Sequence, residues 1–520
     1  MQTENNPPQA RPPMTRRTLR LCLANLIAWS VLFHLYVLFR FDFDWLSGDA
    51  AIFTQVIQSV QTTGTLEGFI TYPYGFGYQV IVVFLSEVTS ISIVNLQLFA
   101  LPLMGAVPAI LVYPLFQRLI NDKPGALLAA YLFGIQSDVL FTTFRSTHEK
   151  FTWILIGTIM LLFVLTIEKK STSRSLGTVL GSTLATYGSM FALFSLNLFF
   201  ANTFLLILVI GLLVGLSRSR GPISRSLQRL AYLCTLGSVL FFSFILYTYG
   251  PALLYLKGLA NYGQVILTAV LSFENQSTPQ YQYVLDNWPS IYVWIVLTLV
   301  TWVLLGLTAF SFISIALLRR RRNHDPLFSL LRYLWIGAVI VLGGGVLADR
   351  FGGYSSNLEL RLVPVVILFS APIAAFELMR WVRSHSHLSR SGKMAVVLSL
   401  LLVLTPISLM KATAEPSISN IRIYVTPDEK AAILWTMSTE FDGPIWTDPG
   451  GRMISEARFF EPITEFPKYS SRLQGSNSSK YYMVSGIVLY LYPTQVMEVS
   501  SATDARIYTN GDTSIFMHGQ

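Results

Sequence analysis

The chain has 520 residues, of which 52% are hydrophobic and only 12% are charged, with a formal net charge of +9. Soluble domains usually carry about 25% charged residues, so this composition indicates a protein whose main solvent is lipid. The basic residues lie in short clusters between apolar runs, not on one stripe. This pattern is typical of membrane topology and gives no support to a nucleic-acid partner.

The N-terminal residues 1–15 are rich in Pro, Asn and Gln and predict a disordered cytoplasmic tail. Arg16, Arg17 and Arg20 then precede an apolar run. This run is about 20 residues long and has no small-residue cleavage site, which favours a retained membrane span over a signal peptide.

Apolar runs of about 20 residues recur along the chain, the length needed to cross a bilayer. They lie near 20–40, 93–117, 124–143, 149–167, 175–192, 195–217, 230–250, 290–318, 328–348, 360–380 and 394–412. The fold class predicted is an α-helical polytopic membrane protein of about eleven spans, with a multi-span membrane domain over 16–412.

The stretch 78–92 is apolar but short, and Glu87 interrupts it. Its length suits an interfacial or re-entrant helix. With this stretch on the outer surface, all the basic clusters fall on one side of the membrane. The positive-inside rule then predicts a multi-pass protein of the plasma membrane, with a cytoplasmic N-terminus and an extracytoplasmic C-terminus.

Residues 413–520 are more polar and predict a small extracytoplasmic α/β domain. Thr426-Pro-Asp-Glu429 is typical of a helix start, with a capping residue followed by Pro and acidic residues. The segment 508–516, with Asn-Gly near its centre, predicts a β-hairpin.

The predicted outer loop 41–92 contains Asp42, Asp44 and Asp49 close to the end of the first span, and no Lys or Arg. One of these carboxylates could act as the general base that deprotonates an acceptor. Alternatively, they could hold a hard divalent cation such as Mg²⁺ or Mn²⁺. The plain structural alternative is a solvated acidic loop.

Asp49 opens a predicted amphipathic helix along the membrane interface. Tyr72 and Tyr74 follow in a turn-rich segment. Aromatic residues at this depth either belong to the headgroup belt or line a groove for a sugar or lipid.

Arg145, His148, Glu149 and Lys150 crowd a tight outer turn, where charge is costly unless it is used or paired. Glu149 could contact a substrate or join Asp49 at a metal, and Arg145 or Lys150 could neutralise a lipid phosphate. The alternative is a set of interface anchors whose charged ends reach the headgroups. Farther along, Arg361 and, as a second choice, Arg350 could bind a phosphate, or they could form plain ion pairs.

Over residues 20–170 this layout resembles the GT-C superfamily of membrane glycosyltransferases. The likeness rests on the first span, the acidic motif Asp42-Phe-Asp44 with Asp49, the Tyr72-Pro73 element, and Glu149 opening a span. The resemblance implies that Asp49, or Asp42 or Asp44, activates the acceptor. It also implies that Glu149 is a second acidic group of the site and that Arg361 contacts the lipid phosphate.

The same resemblance predicts the function. We expect a glycosyltransferase that moves a sugar from a polyprenyl-phosphate donor to a protein, glycan or lipid acceptor on the extracytoplasmic face. The Trp-Trp-Asp motif of oligosaccharyltransferases is absent from the tail, which argues against transfer of whole glycans to Asn. A transporter or flippase of lipid-linked sugars is the alternative.

Overall fold

The computed structural model of the protein describes residues 15–41, 43, 48–66, 72–168, 176–218, 222–258, 260, 264, 268, 295–318, 326–351, 358–384, 389–413, 426–439, 445–447, 469–470, 481–485 and 505–517. These parts are mostly helical. The helices are α1 (Arg16–Arg40), α2 (Gly48–Thr63), α3 (Gly77–Thr89), α4 (Ile93–Asn95), α5 (Leu101–Met104), α6 (Val107–Ile120), α7 (Lys123–Gly134), α8 (Ser137–Phe144), α9 (Glu149–Glu168), α10 (Leu176–Leu196), α11 (Leu198–Arg218), α12 (Pro222–Thr248), α13 (Leu299–Leu318), α14 (Pro326–Phe351), α15 (Leu358–Ser384), α16 (Arg390–Ala412) and α17 (Pro427–Ser438). A π-helical segment, Leu96–Ala100, joins α4 to α5.

Within the described part, eight helices are long and apolar enough to cross a bilayer, or nine if one bent pair is counted as a span. Two further predicted spans, 175–192 and 290–318, coincide with shorter apolar stretches, Leu180–Leu196 and Leu299–Ile313. Within the described residues the predicted runs therefore fall on helices, with 93–117 and 124–143 divided between successive segments, but the predicted count of eleven spans is not confirmed. The multi-pass membrane architecture is confirmed.

The bent pair is α7 and α8, which meet at 63° instead of forming one straight helix over 124–143. The Gln136 side chain accepts a hydrogen bond from the Val139 N–H at 2.7 Å and so caps the start of α8. Because this cap satisfies a backbone donor outside the α7 ladder, the chain can begin a new helix in a new direction.

The short helix α3 confirms that the stretch beginning at 78 is too short to be an ordinary span. Its face with Tyr78 and Val82 is buried in the protein, whereas Val80, Phe84 and Val88 are exposed one turn apart. An exposed apolar stripe at this spacing is typical of a helix with one face toward lipid.

The helix ends define two ends of the bundle. One, which we call the site end, is where α8 meets α9, α10 meets α11, and α12 ends. At the opposite end Arg383 pairs with Asp122 at 2.6 Å, between the end of α15 and the turn before α7. Two basic clusters that are distant in sequence, near 118–123 and 380–393, therefore lie at the same end, as the positive-inside argument requires.

The opposite end also contains a buried polar network between α13, α14 and α15. Arg332 donates to the Ser311 hydroxyl at 3.1 Å, and this hydroxyl donates to Glu377 at 2.8 Å. Glu377 also pairs with Arg380 at 3.2 Å. Each charged side chain in this network makes at least one hydrogen bond, which offsets part of the cost of burying it within the bundle.

The tail contains α17 and a five-stranded sheet of β1 (Ile445–Trp446), β2 (Tyr469–Ser470), β3 (Tyr481–Val484), β4 (Ala505–Thr509) and β5 (Ser514–Met517), in the order β2-β1-β3-β5-β4. β1 is parallel to β2 and β3, whereas β5 is antiparallel to β3 and β4.

The predicted helix start is confirmed: the Thr426 hydroxyl accepts from the Glu429 N–H at 3.2 Å, and the Glu429 carboxylate accepts from the Thr426 N–H at 3.0 Å. The predicted hairpin is also confirmed, and Gly511 supplies the positive φ of +106° that its turn needs. The domain boundary at 413 stays a prediction.

The tail shares a hydrophobic core with the start of α2. Ala50 and Ala51 are fully buried. They pack in one cluster with Leu98, Ala432, Ile433, Ile445, Met483 and Ile515. The sheet and α17 therefore hold the N-terminal end of α2, the helix in which Asp49 is the second residue.

Substitution of Ala51 by Leu should loosen the tail from the bundle, because overpacking a filled core typically costs about 1–3 kcal/mol. Limited proteolysis of the tail and the apparent melting temperature in detergent would measure this effect. Gln55→Leu, at a half-buried position of the same helix, is the control. Equal protease resistance in the two variants would contradict the packing described here.

Candidate functional site

The site end is organised around a short segment, Tyr72–Phe76, that docks on the break between α10 and α11. The Phe76 N–H donates to the Ser195 carbonyl at 2.8 Å, and the Leu198 N–H donates to the Tyr74 carbonyl at 2.7 Å. At Gly75 a Cβ atom would lie 2.4 Å from the Ser195 carbonyl oxygen. Only glycine allows this close approach, so the local sequence fixes the docking of the segment.

Docking brings Tyr72, His148 and Asn197 together. The Tyr72 hydroxyl lies 2.9 Å from His148 Nε2, and Asn197 Nδ2 lies 2.8 Å from the same nitrogen. Asn197 Nδ2 also donates to the Tyr72 hydroxyl at 3.1 Å. The main-chain carbonyl of Tyr72 accepts from the Tyr249 hydroxyl at 2.6 Å, so the end of α12 also fixes this segment.

Aromatic rings cover this polar triangle. The Phe53 ring lies 4.7 Å from that of Tyr72 and 5.4 Å from the His148 ring, measured between centroids. On the other sides, Tyr74 lies 5.2 Å from Tyr72, and Phe200 lies 6.2 Å from His148. His148 and Asn197 are buried, at 3% and 1% exposure. The polar contacts are therefore shielded from water, which strengthens them.

The turn between α8 and α9 places three charged side chains in contact. Arg145 pairs with Glu149 Oε1 at 3.1 Å and stacks on the Phe141 ring, 4.4 Å from its centroid. The other carboxylate oxygen, Oε2, accepts from the Thr147 hydroxyl and lies 3.6 Å from His148 Nδ1. Both oxygens of Glu149 are therefore engaged within the protein.

Lys150 is fully buried, and its side chain stabilises the same turn. Its ammonium group donates to the main-chain carbonyls of Arg145 and, at 3.4 Å, Thr147. The turn is also tied to the π-helical segment, because the Ser146 hydroxyl donates to the Gln97 carbonyl. These bonds leave the conformation of the turn little freedom.

Tyr78 is a buried, neutral hydrogen-bond donor next to the site. Its hydroxyl donates to the Gln97 side-chain oxygen at 2.7 Å. Burial, and to a smaller degree the charge of Glu149, raises the pKa of Tyr78 well above its ordinary value. The phenol therefore stays protonated at physiological pH. Its hydrogen bond to Gln97 links α3 to the π-helical segment.

The structure brings together five residues that the sequence singled out, in one place at the site end: Tyr72, Tyr74, Arg145, His148 and Glu149.

Arg361 is exposed near this group, with its guanidinium carbon 5.9 Å from the centroid of the Phe199 ring. Asp49 is the second residue of α2, one turn before Phe53. The helix therefore begins one residue before the predicted start at Asp49. The Asp49 and Arg350 side chains, and Asp42 and Asp44 altogether, lie outside the described residues.

Sequence reasoning missed Asn197, Gln97 and Tyr249. Asn197 carried a usable signal, because it is a lone amide between two apolar runs, where a helix break needs a cap. Gln97 and Tyr249 lie within or beside apolar helices, and their role depends on partners distant in sequence.

The described residues contain no group of three or more His, Cys, Asp and Glu side chains that could hold a metal ion. Glu149 uses both of its oxygens within the protein. A divalent cation at Asp49 and Glu149 therefore stays a prediction.

The Arg145–Glu149 pair should stabilise the site end, because each side chain is mostly buried, at 13% and 11% exposure. Glu149→Gln and Arg145→Met should each lower the apparent melting temperature, since each leaves a mostly buried partner uncompensated. The double variant should lower it by less than the sum of the two single effects. Additive effects would mean that the two groups do not interact.

No family model and no curated protein matches the sequence. Solved structures do match the fold. AglB from Archaeoglobus fulgidus, an archaeal oligosaccharyltransferase in complex with an inhibitory peptide and a dolichol-phosphate, matches 84% of this chain at 12% identity, with a TM-score of 0.54. The chain spans only 63% of the length of that AglB chain.

ArnT from Cupriavidus metallidurans, bound to undecaprenyl phosphate, matches 94% of this chain and 98% of its own, at 12% identity and a TM-score of 0.51. An oligosaccharyltransferase from Archaeoglobus fulgidus, tethered with an acceptor peptide containing the NVT sequon, matches 96% of this chain and 74% of its own, at 11% identity and a TM-score of 0.51. At these identities the likeness shows the fold alone. The resemblance predicted from the sequence is thus confirmed at the level of the fold: the chain is similar in fold to these AglB and ArnT structures.

Proposed function

We propose that the protein is a membrane glycosyltransferase that takes a sugar from a polyprenyl-phosphate donor and transfers it to an acceptor on the extracytoplasmic face. The observation that carries the proposal is the buried cluster of Tyr72, His148 and Asn197 beside the Arg145–Glu149 pair. This cluster lies at the end of the bundle that the positive-inside rule assigns to the outer face. The fold supports the proposal by analogy, because similar folds hold dolichol-phosphate and undecaprenyl phosphate.

The reaction needs a general base, an aromatic surface against which the sugar can bind, and a cation that stabilises the leaving phosphate. We call the aromatic surface the sugar wall. In the proposed step an acceptor oxygen or nitrogen attacks the anomeric carbon while the bond from this carbon to the phosphate oxygen breaks. The acceptor proton passes to a carboxylate, and the bonding electron pair leaves with the polyprenyl phosphate. Charge therefore develops on the leaving phosphate, and its stabilisation is the largest electrostatic requirement.

We assign the base to Asp49, with Asp42 and Asp44 as the alternatives. Asp49 is one turn before Phe53, whose ring lies against His148, so the start of α2 is next to the polar cluster. Glu149 is less suited to this role, because Arg145 and Thr147 already engage its oxygens. We assign Glu149 instead to holding the turn that carries His148.

The aromatic residues suit the sugar wall. Tyr72 and Tyr74 are half-buried neighbours at the site end, and the buried Phe53 ring packs against Tyr72. Ring faces can pack on the apolar faces of sugars, and the Tyr74 hydroxyl can hydrogen-bond a sugar hydroxyl. Arg361 is exposed over the ring of Phe199, the neighbour of Phe200 at the start of α11, and has the planar donor geometry that grips a phosphate.

The direct test supplies purified full-length protein with labelled undecaprenyl-phosphate and dolichol-phosphate sugars and follows release of the polyprenyl phosphate. Wild type should consume at least one such donor. Asp49→Asn should slow this reaction by about 100-fold or more, because loss of general base catalysis typically costs 10²–10⁴-fold.

Glu87→Gln is the matched control. Glu87 is a carboxylate of the same predicted loop, but it is bonded to Gln61 at 2.8 Å and is exposed. This variant should retain full activity. If wild type consumes none of the donors, the proposal fails. If Asp49→Asn is as active as wild type, the base is misassigned, and a chelator in the same assay tests the divalent cation separately.

A further inference from the structure

Asn197 is both a helix cap and the centre of the polar triangle. It precedes α11, and its side-chain oxygen accepts from the Phe200 N–H at 3.0 Å. A backbone N–H can only donate, so this bond fixes which end of the Asn197 amide is oxygen. The NH₂ group must therefore be the end that faces His148 and Tyr72.

This orientation determines the protonation of His148. Asn197 Nδ2 is a donor only, and it lies 2.8 Å from His148 Nε2. Nε2 must therefore be the unprotonated, accepting nitrogen. The proton of the neutral ring then lies on Nδ1, which is 3.6 Å from Glu149 Oε2.

We propose that Asn197 is a positioning residue that holds His148 as the neutral Nδ1–H tautomer, with the single lone pair of Nε2 shared between the Asn197 side-chain N–H and the Tyr72 hydroxyl. The two donor bonds and the ring contacts of Phe53 and Phe200 fix the imidazole. The Tyr72 ring is thereby held beside Tyr74 at the sugar wall. This last consequence rests on the proposed function, whereas the tautomer does not.

Several charged or titratable groups surround the imidazole in the described part of the site. The segment before α3 contributes the Tyr72 hydroxyl at 2.9 Å. The turn itself contributes Glu149, which is neutralised by Arg145, and the buried ammonium group of Lys150. From α2 and α11 the ring meets the uncharged side chains of Phe53, Phe200 and Asn197.

Two substitutions separate the cap from the amide donor. Asp and Ser cap helices about as well as Asn, so Asn197→Asp and Asn197→Ser should both keep α11. Neither residue can present an NH₂ group to His148. In Asn197→Asp the carboxylate can only accept, so the nitrogen that faces it should become protonated.

Nitrogen NMR on protein labelled at its histidines measures this directly. The chain has 6 histidines, and His148→Gln identifies the signal of His148 by its loss. Wild type at neutral pH should show an unprotonated Nε2 and a protonated Nδ1. In Asn197→Asp, Nε2 should become protonated, and in Asn197→Ser the single tautomer should give way to a mixture.

The proposal is overturned if wild type shows a protonated Nε2, or if Nε2 stays unprotonated in Asn197→Asp. A variant that fails to fold is recognised by its melting temperature, and the wild-type spectrum alone then decides the tautomer. The NMR result does not depend on any donor.

Turnover provides the second readout. Both variants should lose about tenfold or more in donor consumption, because small misplacements of a positioned group cost up to about 100-fold. In Asn197→Asp the low-pH limb of the rate should move to higher pH, since the protonated ring must lose its proton to accept from Tyr72. Wild type that consumes no donor would defeat the proposed function and leave the tautomer result intact. Full activity with an unchanged pH profile in both variants would overturn the positioning role.

Discussion

The site end depends on one contact, the docking of the Tyr72–Phe76 segment on the break between α10 and α11. Two backbone hydrogen bonds and a glycine that fits against the Ser195 carbonyl make this contact. Without it, Tyr72 would not reach His148, and the side-chain N–H of Asn197 that donates to Tyr72 would lose this acceptor. A buried donor left unpaired costs about 1–3 kcal/mol, so the docking and the polar triangle stabilise each other.

Two other parts of the structure, the helical bundle and the tail, stabilise the elements around this contact. From the bundle, Lys150 and the Arg145–Glu149 pair fix the turn that carries His148. From the tail, the sheet packs on Ala51 and so holds the start of α2, the helix that carries Phe53 and Asp49. The tail is therefore coupled to the proposed base through packing, which gives this region a positional role whatever else it binds.

Apolar run length was enough to predict the helices, because a span must be about 20 residues long whatever its neighbours are. It could not predict the bend between α7 and α8, which depends on the Gln136 side chain capping a helix start. The turn with Arg145, His148 and Glu149 was predicted because charge is conspicuous beside apolar spans. The position of Asn197 between two apolar runs could have predicted its capping role, but its contacts with partners 49 and 125 positions away leave no local pattern in the sequence.

The central claim is that the donor binds at the site end, against the Tyr72–His148–Asn197 cluster. A polyprenyl-phosphate sugar with a photoreactive group on the sugar, cross-linked to the full-length protein and mapped by mass spectrometry, tests this claim directly. Labelled peptides should contain residues 72–78, 145–150 or 197–200, and unmodified donor should compete the labelling away. Competed labelling confined to the opposite end, around Arg332 and Glu377, would contradict it.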